Sequence, residues 1–277
     1  MATTKLTFGE WMPDQPSITG ALVDAKNVVS QAVGYGPLPT AATFSAVAAE
    51  NLTTLVAGKS PTGTTNLFAA GTTKIYSVSG VGVLTNVSKT GGYTPNAAVD
   101  RFRFTQFGNV IIGTNNSDPI QAFTLGTSSL FADLSATAPK CKFLTVVRDF
   151  VVTAFTTESS VVYPTRQIVG IRGGEFGLVL MEKGISRMSY VGTPFVFQFD
   201  NISRGKGCIA AGSIAQVQGV TFFLSDDGFY MCDGQQITAI GSEKIDRWFF
   251  GEADESAFDT MSAAVDPVRK LIIWNFK

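Results

Sequence analysis

The fold of this chain is decided by Ile168–Phe250, IVGIRGGEFGLVLMEKGISRMSYVGTPFVFQFDNISRGKGCIAAGSIAQVQGVTFFLSDDGFYMCDGQQITAIGSEKIDRWFF. One pattern occurs in it twice: an apolar run, a tight turn and a second strand that returns. The run and the returning strand are Leu178–Met181 with Ile185–Val191, and Thr221–Leu224 with Phe229–Cys232. Asp-Gly pairs such as Asp227–Gly228 are typical of hairpin turns that need a positive φ. The stretch therefore predicts a repeated antiparallel meander.

Similar apolar runs extend the repeat over most of the chain, at intervals of about 40 to 50 residues. They are Leu67–Ala70, Val110–Gly113, Phe150–Thr153 and Leu271–Trp274. This period, with four short strands per repeat, predicts an all-β fold of β-propeller blades. A β-sandwich is the alternative, because its strands also recur between regular turns. Short helices are predicted at Ser242–Phe249, where Ser242 is the candidate N-cap, and at Glu252–Met261.

Residues 1–60 differ from the blades predicted over 61–277. Trp11–Pro16 and Gly34–Pro39 are rich in proline and turn formers, which disfavours helices and central strands. We interpret the segment as an extended arm that docks on another surface. Its docking residues would be Trp11, Leu22, Tyr35 and Leu38. The alternative is an irregular leader that packs on its own domain.

The spacing of the repeat is broken once, between Phe150 and Leu178. That interval is too short for a complete four-stranded blade. We expect either a minimal blade or a longer native chain with residues absent near 166–167. A continuation after Lys277 is also expected, because the last apolar run has no closing turn.

Composition excludes several classes of function. With no histidine among 277 residues, triads and metal sites that use histidine are absent. A net charge of −1 offers no basic surface for gripping nucleic acid. Asp226, Asp227 and Asp233 could in principle hold Ca²⁺, but turn formation is the simpler interpretation. The sequence therefore predicts no enzyme activity, no cofactor, no metal site and no membrane segment.

Several stretches resemble the tail nozzle or hub proteins of short-tailed bacteriophages, a family of tail or DNA-stabilisation proteins. They are Phe8–Pro16, Tyr35–Pro39, Gly173–Met181, Arg187–Gly192, Phe195–Phe199, Arg204–Cys208, Phe223–Tyr230 and Lys244–Phe249. The resemblance covers most of the chain and carries no catalytic signature.

The resemblance implies a structural virion protein, made in the host cytoplasm, that forms a homo-oligomeric ring of expected hexameric order. Such a ring would meet portal, adaptor and other tail proteins, and viral DNA would pass through it without sequence-specific binding. Predicted subunit contacts are the four arm residues with Arg204, Lys206, Trp248 and Phe249. The rival interpretation is a carbohydrate-binding propeller, lectin-like or receptor-binding, with exposed aromatics in equivalent pockets of successive blades.

Overall fold

The computed structural model describes residues 9–16, 19–31, 33–95, 100–156 and 167–277. The protein is mostly β and contains four blades of a β-propeller, each a four-stranded antiparallel meander. The propeller prediction is confirmed, and the sandwich alternative is set aside. The chain comprises two compact units, Thr43–Gly207 and Met1–Ala42 with Cys208–Lys277.

A hairpin and two blades form the first part of the chain. The hairpin is β1 (Val28–Ser30) and β2 (Tyr35–Pro37). Blade 1 is β3 (Thr54–Lys59), β4 (Thr65–Ala70), β5 (Ile75–Val78) and β6 (Leu84–Asn86). Blade 2 is β7 (Arg103–Phe107), β8 (Val110–Thr114), β9 (Gln121–Thr124) and β10 (Ala132–Asp133). Since β3 begins at Thr54, blade 1 starts inside the segment predicted as an arm.

A two-stranded sheet and blade 3 complete the unit Thr43–Gly207. The sheet is β11 (Cys141–Val147) and β12 (Phe150–Thr156), and β11 lies between β7 and β13. Blade 3 is β13 (Ile168–Arg172), β14 (Gly177–Met181), β15 (Gly184–Tyr190) and β16 (Phe197–Arg204). The short repeat interval thus corresponds to a sheet with two strands in the described part of the chain. The predicted gap near 166–167 borders residues 157–166, which lie outside that part.

Blade 4 and the helices belong to the other unit. The blade is β17 (Ala215–Val217), β18 (Val220–Ser225), β19 (Gly228–Cys232) and β20 (Ile237–Ala239), and a 3-10 turn at Ala211–Ser213 precedes it. After it come helix α1 (Asp246–Glu252), a 3-10 helix at Glu255–Thr260, and the pair β21 (Ser262–Asp266) and β22 (Leu271–Asn275). No helix in the described ranges has the length and apolar character needed to cross a bilayer.

The predicted start of the helix at Ser242 is wrong. The Gly241 carbonyl accepts hydrogen bonds from the amides of Lys244, Ile245 and Asp246 at 3.0, 2.9 and 3.2 Å. These bonds hold the chain in a turn, so regular helix begins only at Asp246. The second predicted helix is a shorter 3-10 helix.

Each unit has its own apolar core. In Thr43–Gly207, blades 1 and 2 bury an aromatic cluster built on Phe68, Phe102, Phe123 and Phe131. A second cluster joins Ile112 of β8 to Cys141 and Leu144 of β11. A Cβ on Gly173 would lie 1.8 Å from the Val146 carbonyl oxygen, so only glycine permits β11 and the start of blade 3 to approach.

Candidate interaction surfaces

The predicted N-terminal arm packs on its own chain over Glu10–Pro16, which we call the N-terminal strap. Trp11 forms a parallel bridge with Leu22, and the Met12 amide donates to the Leu22 carbonyl at 2.9 Å. The Trp11 amide donates to the Tyr35 hydroxyl at 2.7 Å. These bonds tie the strap to the residues that follow it.

The strap then caps helix α1. The first amides of a helix have no partner within the helix, and a carboxylate there also suits the helix dipole. Ile245 occupies the N-cap position and cannot accept a side-chain bond. Instead, the Asp14 carboxylate accepts hydrogen bonds from the amides of Arg247 at 2.9 Å and Trp248 at 2.8 Å. Asp14, 233 positions before Arg247 in sequence, therefore supplies the N-terminal cap that was predicted at Ser242.

Flanking contacts hold the same pair of segments together. The Trp11 and Trp248 rings meet edge to face, with centroids 4.9 Å apart. The Asp14 amide donates to the Lys244 carbonyl at 3.1 Å. An ion pair between Lys244 Nζ and Glu10 spans 3.1 Å, but both groups are largely exposed and it adds little stability. The capping bonds and the aromatic contact are the main attachments.

A buried carboxylate at the start of α1 joins the helix to blade 4. The Asp246 carboxylate accepts a hydrogen bond from the Phe229 amide at 3.0 Å. Burial raises the pKa of Asp246, and the nearby charges of Asp14 and Asp227 act in the same direction. Asp246 thus joins the first turn of α1 to β19.

Four of the predicted contact residues come together in this region, and the other four do not. Trp11, Leu22, Tyr35 and Trp248 form one connected set within a single chain, which is the packing that the alternative interpretation of the arm described. Their role between copies stays a prediction.

The remaining four predicted residues differ in exposure. Phe249 is 1% exposed and belongs to the core of its own chain, with Phe229 at 4.9 Å and Phe276 at 4.8 Å between ring centroids. Leu38 is 56% exposed. Arg204 is exposed at the end of β16, and Lys206 is partly exposed.

Asp233, one of the three aspartates considered for calcium, holds a turn. The Asp233 carboxylate accepts hydrogen bonds from the amides of Gln235 and Gln236, at 2.8 and 2.9 Å. These bonds hold the pKa of Asp233 below its ordinary value. Within the described ranges, no three His, Cys, Asp or Glu side chains are grouped as metal ligands.

A second surface, missed from the sequence, is the outer strand of blade 3. β16 is eight residues long, whereas the last strands of blades 1, 2 and 4 have three, two and three residues. Phe195 and Phe199 beside and within β16 are 77% and 60% exposed. Both side chains are exposed because Phe199 lies on the outermost strand of the blade and Phe195 just before it. We call Phe195–Phe199 with β16 the blade 3 edge.

The blade 3 edge borders an aromatic cluster. The Phe197 ring lies 5.2 Å from Phe150 and 6.1 Å from Tyr190, centroid to centroid. The Arg148 guanidinium lies 5.4 Å from the Tyr190 ring. The alternation Phe-x-Phe-x-Phe was visible in the sequence, but its exposure depends on which blade position the strand occupies.

Comparison with known proteins adds no family to this description. Neither a scan of protein-family models nor a search of curated proteins finds a match to this chain. The fold defines a β-propeller protein with two candidate contact surfaces, the strap region and the blade 3 edge.

Proposed function

We propose that this protein is a structural subunit of a phage tail, present in the virion as a homo-oligomeric ring that continues the DNA channel. The ring would retain the genome before infection and release it afterwards. The resemblance of the sequence to tail nozzle or hub proteins suggests this role and a hexameric ring. Its neighbours would be portal, adaptor and other tail proteins.

The observation that carries the proposal is the uncharged stretch between Asn27 and Ala49, which exposes several apolar side chains. No Asp, Glu, Lys or Arg occurs in these residues. Leu38, Phe44 and Val47 are 56%, 60% and 99% exposed. Exposed apolar side chains in an uncharged stretch of this kind suit a surface that another protein covers. A subunit of an assembly accounts for such a segment better than a lone propeller does.

The charge balance suits a channel through which DNA slides. A net charge of −1 gives no excess of cations to hold phosphates. A lumen without a strong positive potential would let duplex DNA pass at physiological salt, where exposed charges act over about 8 Å. The proposed mechanism is mechanical, with no catalytic step.

Native mass spectrometry of the full chain tests the proposal. We expect a closed oligomer, with a hexamer as the specific expectation, and a ring with a central opening in electron micrographs. The proposal would be refuted if the full chain stayed monomeric at every protein concentration tested. Labelling of the protein in intact virions would then place the ring in the tail.

The carbohydrate-binding alternative has one observation in its favour, the aromatic cluster of Phe150, Tyr190 and Phe197. A lectin-like propeller would repeat such a site on successive blades. The last strands of the other three blades are too short to repeat the edge of blade 3. Reproducible hits on a glycan array, abolished by Tyr190→Ala, would favour this alternative.

A further inference from the structure

The blade 3 edge has the features of a strand that another strand joins. In the described residues, β16 pairs only with β15 and ends the sheet order β13-β14-β15-β16. Proteins usually keep edge strands short or charged, because an open row of N–H and C=O groups pairs with other chains. The last strands of the other blades are short, whereas β16 has eight residues, and its charged residues, Asp200 and Arg204, come only after Phe199.

The first part of the blade 3 edge, as far as Phe199, favours an uncharged partner. No charged residue occurs from Met188 to Phe199, and Asp200 is the first charged residue of β16. Phe197 and Phe199 alternate within β16, so their side chains lie on one face of the sheet, and Phe195, just before the strand, is also exposed. A partner that carried charges onto this face would lose their hydration without gaining ion pairs. An apolar, uncharged strand fits.

The chain itself contains an apolar, uncharged stretch in residues 38–49, which we call the arm segment. It is uncharged and carries the exposed Leu38, Phe44 and Val47. Among the described residues, no backbone N–H from Thr40 to Ala49 donates to another backbone carbonyl. The arm segment therefore offers backbone amides without a backbone partner, together with apolar side chains, to the open backbone and exposed phenylalanines of the blade 3 edge.

We propose that the arm segment of a second copy adds to β16 as a fifth strand of blade 3. Backbone hydrogen bonds would supply affinity, and the apolar side chains would cover the phenylalanines. The two partner surfaces are different, so the contact is heterologous and repeats from copy to copy until a ring closes. This inference rests on the proposed function and specifies one contact of the ring. It also places Arg204, a predicted contact residue, at the end of the joined strand.

Disulfide trapping between two differently labelled full-length variants tests the proposal. One carries Ala46→Cys and the other Gln198→Cys, both at exposed positions. The three native cysteines are buried, so they compete little for oxidation. Mild oxidation of the mixture should yield the mixed dimer in excess over either dimer of like chains. Val268→Cys, at a 90% exposed residue, replaces Gln198→Cys in the matched control and should yield no excess.

A second measurement uses the oligomer itself. Val47→Lys or Phe199→Lys should raise the apparent dissociation constant at least about tenfold, the scale of a central apolar contact. Val268→Lys should leave it unchanged.

Three outcomes would overturn the arm-to-edge contact while the ring proposal stands. The first is an intact oligomer that forms no mixed disulfide, and the second is a predominance of disulfide-linked dimers of two Gln198→Cys chains. The third is a disulfide closed within one chain when a single chain carries both Ala46→Cys and Gln198→Cys. An absence of any oligomer would refute the proposed function as well.

Discussion

Asp14→Ala should loosen the strap from helix α1 and destabilise the unit that contains both. The substitution removes the acceptor for the Arg247 and Trp248 amides. Loss of an N-cap acceptor costs about 1 kcal/mol, within a range of roughly 0.5 to 2. Loss of the carboxylate at the positive end of the helix dipole costs about 0.3 to 1 kcal/mol more. We therefore expect a loss of about 1.5 to 2 kcal/mol.

The loss grows if the strap detaches. The edge-to-face contact of Trp11 with Trp248 would then also be lost, and such pairs contribute about 0.5 to 1.5 kcal/mol. Hydrogen exchange at the Arg247 and Trp248 amides reports the local opening, and urea unfolding reports the free energy. Exchange at both amides should accelerate at least about tenfold, the equivalent of 1.4 kcal/mol.

Two matched variants decide whether capping is the cause. Asp14→Asn keeps one of the two oxygens that accept these bonds, whereas its amide nitrogen cannot accept and the charge is lost. It should therefore retain part of the stability that Asp14→Ala loses. Asp24→Ala removes an exposed carboxylate paired only with Lys26 at 3.6 Å and should change little. Equal losses for Asp14→Ala and Asp24→Ala, or unchanged exchange at Arg247 and Trp248, would refute the reasoning.

Three further substitutions test the packing and the buried carboxylates. Gly173→Ala forces a Cβ to 1.8 Å from the Val146 oxygen and should cost at least about 2 kcal/mol in urea unfolding, whereas Gly251→Ala, with open space around it, should cost little. Because the folded-state pKa of Asp246 is raised, its stabilisation is present at low pH and lost as pH rises through that pKa. The stability of Asp246→Asn relative to the native chain should therefore increase with pH above about 4, and a flat difference would contradict this. Burial alone would raise the pKa of Asp118, but hydrogen bonds from Asn115 and Thr94 hold it below its ordinary value. Asp118→Asn should thus cost stability at neutral pH and progressively less in acid, and a loss independent of pH would exclude the charge as its source.

The meanders could be predicted from the sequence because their determinants are local. Leu178–Met181 and Ile185–Val191 are apolar runs on either side of a turn, and they become β14 and β15 with nearly the predicted bounds. The same holds for Phe229–Cys232, which follows Asp227–Gly228 and becomes β19. Strand and turn preferences act over a few residues, so the repeat can be predicted without knowledge of the fold.

The strap could not be predicted in the same way. Its acceptor and the helix it caps are separated by 233 residues, and nothing near Asp14 in sequence indicates a helix N-terminus. Local reasoning assigned the cap to Ser242, four residues before the helix begins. Tertiary structure supplied the cap instead and moved the helix start. Likewise, the exposure of Phe199 depends on its blade position and not on its immediate neighbours.

The place where the repeat breaks lies beside the blade 3 edge. Phe150 of β12 contacts Tyr190 and Phe197, so the two-stranded sheet covers this face of blade 3 as far as the start of β16. Phe199 lies on the same face as Phe197, two residues further along, and remains 60% exposed. Within the described residues, the ring contacts of the two-stranded sheet with this face reach Phe197, and Phe199 lies beyond them.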